Sequence, residues 1–224
     1  MLSFAMAFAI IASFTLAFAG AQPVNAQSKT RRDTSVNRQR RLAATMKETY
    51  THKYEIGLGG SYLRAHSGDA LRKTNLAGFA VTDTYYMSPR FGIVGDVRGY
   101  FGNARLYNNP YNVYNPLISE FTFMGGPQLR SYRKEKWDIS EHLLGGVVLG
   151  HFSGGTKGLP PPLLGVYPDS IRAAISPGVN VDYNLFPNLA VRVTPNVVFT
   201  NFNGSLQTNL GVNAGFVYRF GRQK

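Results

Sequence analysis

The 224 residues contain no cysteine, which excludes a disulfide framework and any thiolate metal site. Acidic side chains are scarce: 12 Asp and Glu stand against 24 Lys and Arg, for a net charge of +12. The histidines His52, His66, His142 and His151 lack metal-ligand spacing, so no metal or cofactor is expected. Gly154-Gly155-Thr156-Lys157 is a fragment of a phosphate loop that runs into Pro160-Pro161-Pro162 instead of a helix. No nucleophile elbow is present, and the chain is not expected to be an enzyme.

Residues 206–220 show what the chain does have. Leu206, Thr208, Leu210, Val212, Ala214, Phe216, Tyr218 and Phe220 form one face, with Gln207, Asn209, Gly211, Asn213, Gly215, Val217 and Arg219 opposite. Period two over such a length predicts a β-strand about twice as long as a typical soluble one. Its apolar face ends in aromatics, as a lipid-facing strand with an interfacial girdle requires. Seven further candidates precede it, near 54–65, 74–86, 91–102, 118–132, 138–152, 170–184 and 189–202. Tight connections at 87–90, 133–137 and 185–188 contrast with long polar ones at 103–117 and 153–169. Short turns on one side and long loops on the other are expected of a membrane barrel with its turns in the periplasm. The predicted fold is therefore all-β: an eight-stranded, antiparallel, up-and-down transmembrane barrel over residues 54–221.

Such a barrel is apolar outside and polar inside. Glu55, Asp96, Arg98, Glu120, Arg130, Arg172, Asp182, Arg192 and Arg219 fall on the polar faces and are expected to pair in a narrow hydrated lumen. Parity leaves 138–152 open, because Glu141 shares a face with Leu143 while His142 shares the other with Leu144. Pro127, Pro177 and Pro195 lie in strand interiors, where bulges or locally broken pairing are expected.

Ahead of the barrel, residues 1–26 carry no charge, and Val24-Asn25-Ala26 provides small residues before Gln27. A signal peptide cleaved between Ala26 and Gln27 is expected, although no Lys or Arg lies near Met1. Residues 27–53 hold eight Lys and Arg against Asp33 and Glu48 and read as a disordered, basic periplasmic leader. Behind a signal peptide its arginine clusters point to a solvated linker with weak affinity for anionic lipid or cell-wall polymer, not to nucleic acid.

Gly60-Ser61-Tyr62-Leu63-Arg64, Gly125-Gly126-Pro127 and Gly215-Phe216-Val217-Tyr218-Arg219-Phe220-Gly221 resemble segments of the small outer-membrane barrels of the OmpA/OmpX type. The resemblance covers roughly residues 54–221. It implies a monomer in the bacterial outer membrane, in contact with lipid, periplasmic chaperones and the barrel-insertion machinery. The aromatic signal read by that machinery would be Phe220, here followed by Gly221-Arg222-Gln223-Lys224. The expected role is structural or interactive, with the lumen plugged by charged pairs and the loops 103–117 and 153–169 as the surface for a partner. Tyr107, Tyr111, Tyr114 and Tyr167 in those loops are expected to touch a partner or the lipid headgroups. The alternatives are a narrow pore, a rim enzyme and a soluble periplasmic lipocalin-like barrel. The rim enzyme rests on a likeness to lipid A deacylases, with His151 and Ser153 outward near the rim and no acidic residue evident beside them.

Overall fold

The computed structural model describes residues 35–69, 71–106 and 110–222. Among them, the period-two segments form eight strands: β1 (His52–Ala65), β2 (Thr74–Tyr86), β3 (Phe91–Asn103), β4 (Leu117–Arg133), β5 (Trp137–Gly154), β6 (Ser170–Phe186), β7 (Leu189–Thr200) and β8 (Gln207–Arg222). Each pairs antiparallel with the next, and β8 returns to β1 to close the barrel. Closure satisfies every strand edge internally, which a bilayer demands of any sheet that crosses it. The connections β2–β3, β4–β5 and β6–β7 gather at one end, here the turn end, and the longer ones gather at the loop end.

Side chains alternate along every strand. Leu58, Ile175 and Leu210 on the outer wall are exposed at 64%, 53% and 56%, whereas Glu55, Arg98 and Arg219 on the inner wall are at most 1% exposed. A soluble barrel would reverse this distribution. At the turn end the outer wall carries an aromatic girdle. Tyr54 lies opposite both Tyr85 and Phe220 in the ladders, with ring centroids 5.4 Å away in each case, and Trp137 meets Tyr183 at 5.0 Å.

Three details refine or depart from the sequence reading. Of the two outcomes expected at the prolines, locally broken pairing occurs and a bulge does not. Pro177 and Pro195 sit where the β6–β7 ladder skips bridges while keeping register from Ile175↔Phe199 through Gly178↔Asn196 to Val181↔Val193. The irregularities lie instead between Leu117 and Ser119, Arg130 and Tyr132, and Asn184 and Phe186. The second departure is a helix, α1 (Ser35–Tyr50), over most of the leader expected to be disordered. Its Arg, Gln, Leu, Ala, Met, Lys and Glu are good helix formers, and Lys47 in the last turn complements the helix dipole. Residue Tyr50 holds its end, donating from its hydroxyl to the carbonyl of Lys134 at 2.5 Å. Third, β5 resolves with Asp138, Ser140, His142 and Leu144 inward; Glu141 faces outward and accepts a 2.7 Å hydrogen bond from the Ser131 hydroxyl. The cleavage point at Ala26 and Gln27, the leader before residue 35 and Tyr107 lie outside the described residues.

The assignment of the two faces is testable at the mid-height pair of positions Val193 and Val212, both outward. Val193→Arg and Val212→Arg should each disfavour insertion into vesicles by about 2–4 kcal/mol. Thr194→Arg, on the lumen side, should carry no such lipid-transfer cost. Equal costs at 193 and 194 in a urea titration would contradict the assignment.

Candidate functional site

The inner wall divides by height into a turn half filled by ion pairs and a loop half where a cluster of apolar side chains packs among uncharged polar ones and Glu120. Glu55 of β1 stands at the centre of the former. Its carboxylate accepts from Arg192 Nη2 at 2.8 Å, Arg219 Nε at 2.8 Å, Arg130 Nη2 and the Tyr86 hydroxyl at 3.3 Å. Asp182 accepts two bonds from Arg192, at 2.6 and 2.7 Å, and one from Arg219 at 2.7 Å. Asp138 Oδ2 lies 2.8 Å from Arg130 Nε, an ion pair poorly angled for a hydrogen bond. Three carboxylates thus face three guanidiniums, and their strands, β1, β5 and β6 against β4, β7 and β8, include opposite walls of the barrel. Asn184 extends the cluster towards the turn end, accepting from Arg219 Nη1 at 2.6 Å and donating to the Tyr50 hydroxyl at 3.3 Å.

Above this cluster Asp96 and Arg98 pair at 2.7 Å, and Arg98 also donates to Asn196 Oδ1 at 3.1 Å. His142 is buried beside them with no hydrogen-bond partner at either ring nitrogen among the described residues. Gly178 makes room for that ring, since a Cβ there would come within 2.5 Å of Nε2. A cavity of about 40 Å³ separates these groups, lined by His142, Arg98, Gln128, Asn180 and Thr194 among others. Its size, and the polar side chains on one part of its lining, suit an ordered water.

The loop half is different chemistry. Leu63, Leu76, Ile118, Leu144, Val148, Phe152 and Val198 point inward, where polar side chains were expected throughout. The loops fold over them: Leu106 and Val113 come from one, Leu164, Val166 and Tyr167 from another, and Phe202 from the short 3-10 turn before β8. Phe152, Tyr167 and Phe202 form a ring trio with centroids 5.3–5.9 Å apart. Tyr167, expected to meet a partner or headgroups, is thus 3% exposed, whereas Tyr111 and Tyr114 remain exposed. Asp69 ties three loops together, accepting from Tyr167 Oη at 2.9 Å, Asn203 Nδ2 at 2.9 Å and Ser205 Oγ at 3.3 Å. The bonds from Asn203 and Tyr167 hold the Asp69 carboxyl below the usual carboxylate range against a small opposing effect of desolvation.

Of the nine charges placed inside by sequence, Glu55, Arg130, Asp182, Arg192 and Arg219 meet in one cluster, and Asp96 and Arg98 form a separate pair. Glu120 is buried at 1% with no ion-pair partner among the described residues. Arg172 is exposed: the β6–β7 ladder begins only at Ala174↔Thr200, so Arg172 projects beyond the end of β7. Asp138 was missed, although its parity with Ser140 and His142 was readable once Glu141 was assigned to the lipid face.

Outside, at the loop-end rim, His151 and Ser153 do have an acid beside them. Asp169, distant in sequence, places Oδ2 2.9 Å from His151 Nδ1 and accepts from the Ser153 hydroxyl at 2.6 Å. The Ser153 hydroxyl is 3.2 Å from His151 Nε2. Asp169 Oδ1 also takes the amides of Phe152 and Ser153, at 2.6 and 3.0 Å. Desolvation raises the Asp169 carboxyl, but the bonds from Ser153 and Phe152 and the nearby imidazole outweigh it and leave it below its ordinary value.

No family model and no curated protein matches this sequence. Solved structures do. The outer membrane protein OprG from Pseudomonas aeruginosa aligns with a TM-score of 0.56 at 11% identity, over 76% of this chain and 97% of its own. Neisserial surface protein A gives 0.50 at 13% identity, over 75% and 97%. Ail, the attachment invasion locus protein of Yersinia pestis, gives 0.48 at 15% identity, over 75% and 99%. The first two carry the fold: this chain has the architecture of the small eight-stranded outer-membrane barrels. With its apolar outer wall and aromatic girdle, it is an integral β-barrel of the bacterial outer membrane.

Proposed function

We propose that the protein is a closed, monomeric barrel with a structural or surface-interaction role, its lumen plugged and its loops turned to the exterior. The observation that supports this most is the Glu55 cluster, which spans the lumen from β1 to β4 with no side chain more than 8% exposed. Eight strands enclose only enough space for side chains, and the apolar cluster of the loop half closes the other end. The tight turns face the periplasm, and Tyr111 and Tyr114 on the loop facing outward are available to a surface partner. Insertion by the barrel-assembly machinery uses β8, whose lipid-facing edge ends in Tyr218 and Phe220. In planar bilayers the purified protein should give no unitary conductance steps. Steady, salt-dependent channels would favour the narrow pore.

A second reading, hydrolysis of lipid esters at the rim, is supported by one contact, that of Asp169 with His151. Serine, histidine and aspartate are the residues of a nucleophilic triad, recognised by geometry and role. Here the Ser153 hydroxyl lies 3.2 Å from His151 Nε2 but donates to Asp169 Oδ2, so its hydrogen must swing from the carboxylate to Nε2 before the imidazole can take the proton. Oγ would then add to the ester carbonyl, the proton would pass from Nε2 to the departing alkoxide, and water would release the acyl group. The non-catalytic role of Asp169 is to anchor the loop to the start of β6 through the two amides. Folded protein in outer-membrane vesicles should react with a fluorophosphonate at Ser153, and Ser153→Ala should abolish the label. An unlabelled wild type would leave Asp169 as a loop anchor alone.

A further inference from the structure

The turn-end girdle has a second layer. On five strands the outward aromatic is followed, one or two positions further from the barrel middle, by a basic residue: Lys53 beside Tyr54, Arg90 beside Phe91, Arg133 beside Tyr132, Lys136 beside Trp137, and Arg222 beyond Phe220. Two basic side chains at this end reach over girdle rings, and the Arg133 guanidinium lies 5.8 Å from the Tyr50 centroid. Lys53 Nζ lies 5.2 Å from the Tyr85 centroid and 5.9 Å from that of Tyr54, and Lys134 Nζ lies 5.9 Å from that of Tyr132. Among the described residues none of these cations has a carboxylate partner; the ion pairs lie in the lumen or at the loop-end rim. Glu135 is the acid within these turns.

Interfacial aromatics settle at headgroup depth, so the neighbouring cations are held at the level of lipid phosphates. We propose that this ring, Lys53, Arg90, Arg133, Lys134, Lys136 and Arg222, binds phospholipids of net negative charge in the leaflet around the turn end. The aromatics fix depth, and unpaired positive charge selects an anionic headgroup over a zwitterionic one, whose own ammonium is repelled. The outward Asp83 and Glu141 do not cancel the ring, because both lie nearer the barrel middle than the girdle, and Glu141 is already bonded to Ser131. Basic residues near an anionic surface typically contribute about fivefold each to the preference.

The full chain, folded in vesicles with equal phosphatidylglycerol and phosphatidylcholine, would be extracted gently and its retained lipids counted by native mass spectrometry. The expected result is a severalfold excess of phosphatidylglycerol at low ionic strength. It should fall towards parity at molar salt, where screening acts over about 3 Å. A variant with all six residues changed to Gln should lose the excess while keeping heat-modifiable migration. The pair Lys53→Gln and Arg90→Gln, less demanding on folding, should lose part of it. Arg64→Gln with Arg72→Gln, at the loop end, should leave it intact. Parity in the wild type, an excess unchanged by the turn-end substitutions, or an equal loss from the loop-end pair would overturn the proposal. So would parity combined with sedimentation on cell-wall polymer through the same six residues, which would make the polymer the partner.

Discussion

Glu55 is a carboxylate held at 1% exposure inside a membrane, and much of the barrel is arranged around that fact. An ionised group removed from water costs several kcal/mol or more unless charges and hydrogen bonds replace its hydration. Here three guanidiniums and a phenol do so, and each arginine in turn needs Asp182, Asp138 or Asn184. Balance is possible because six strands contribute one ionised group each at similar height. The ladder fixes neighbours; the cluster fixes strands that the ladder leaves apart, such as β1 and β4.

The two halves of the lumen solve one problem in different ways. A narrow barrel has little space for water, so its interior must be filled with matched charge or with apolar bulk. Near the turns, where chain reversals are short and offer little cover, charge fills it. Near the loops there is enough chain to lay Leu164, Val166 and Tyr167 over inward Phe152 and Leu144, and the polar side chains left among them, such as Thr200, Gln207 and Asn209, are joined by hydrogen bonds. Asp69 then holds three of these segments together from the outside. The water inferred for the cavity between the halves would satisfy a group such as His142 that neither solution reaches.

Much of this architecture is legible in residue order because membrane strands are long and their two faces meet opposite solvents. The run from Leu206 to Phe220 alternates without interruption, and Asp182, Arg192 and Arg219 take their inward direction from parity alone. What residue order does not carry is distance across the lumen. Arg130 and Glu55 are 75 positions apart, on strands that never pair. Loop packing is hidden for a related reason: proline-rich segments lack a period, so Leu164 and Tyr167 look like surface. The helix at Ser35–Tyr50 was obscured by its charge, its apolar face being little more than Leu42, Met46 and Tyr50. Asp169 escaped notice beside His151 because the loop that returns it to the rim has no regular geometry to extrapolate.

If the Glu55 cluster holds the barrel shut, its energetics should be coupled across the closing seam, where Glu55 of β1 lies opposite Arg219 of β8. A double-mutant cycle on Glu55→Gln and Arg219→Gln, read by urea unfolding in lipid vesicles with folding followed by gel migration, measures that coupling. Each single change should cost about 3–5 kcal/mol, because it strands a buried charge. The double variant should cost less than the sum by about 1–3 kcal/mol. Additivity within about 0.5 kcal/mol would mean that the two side chains do not sense each other, and the cluster would not be what the barrel depends on.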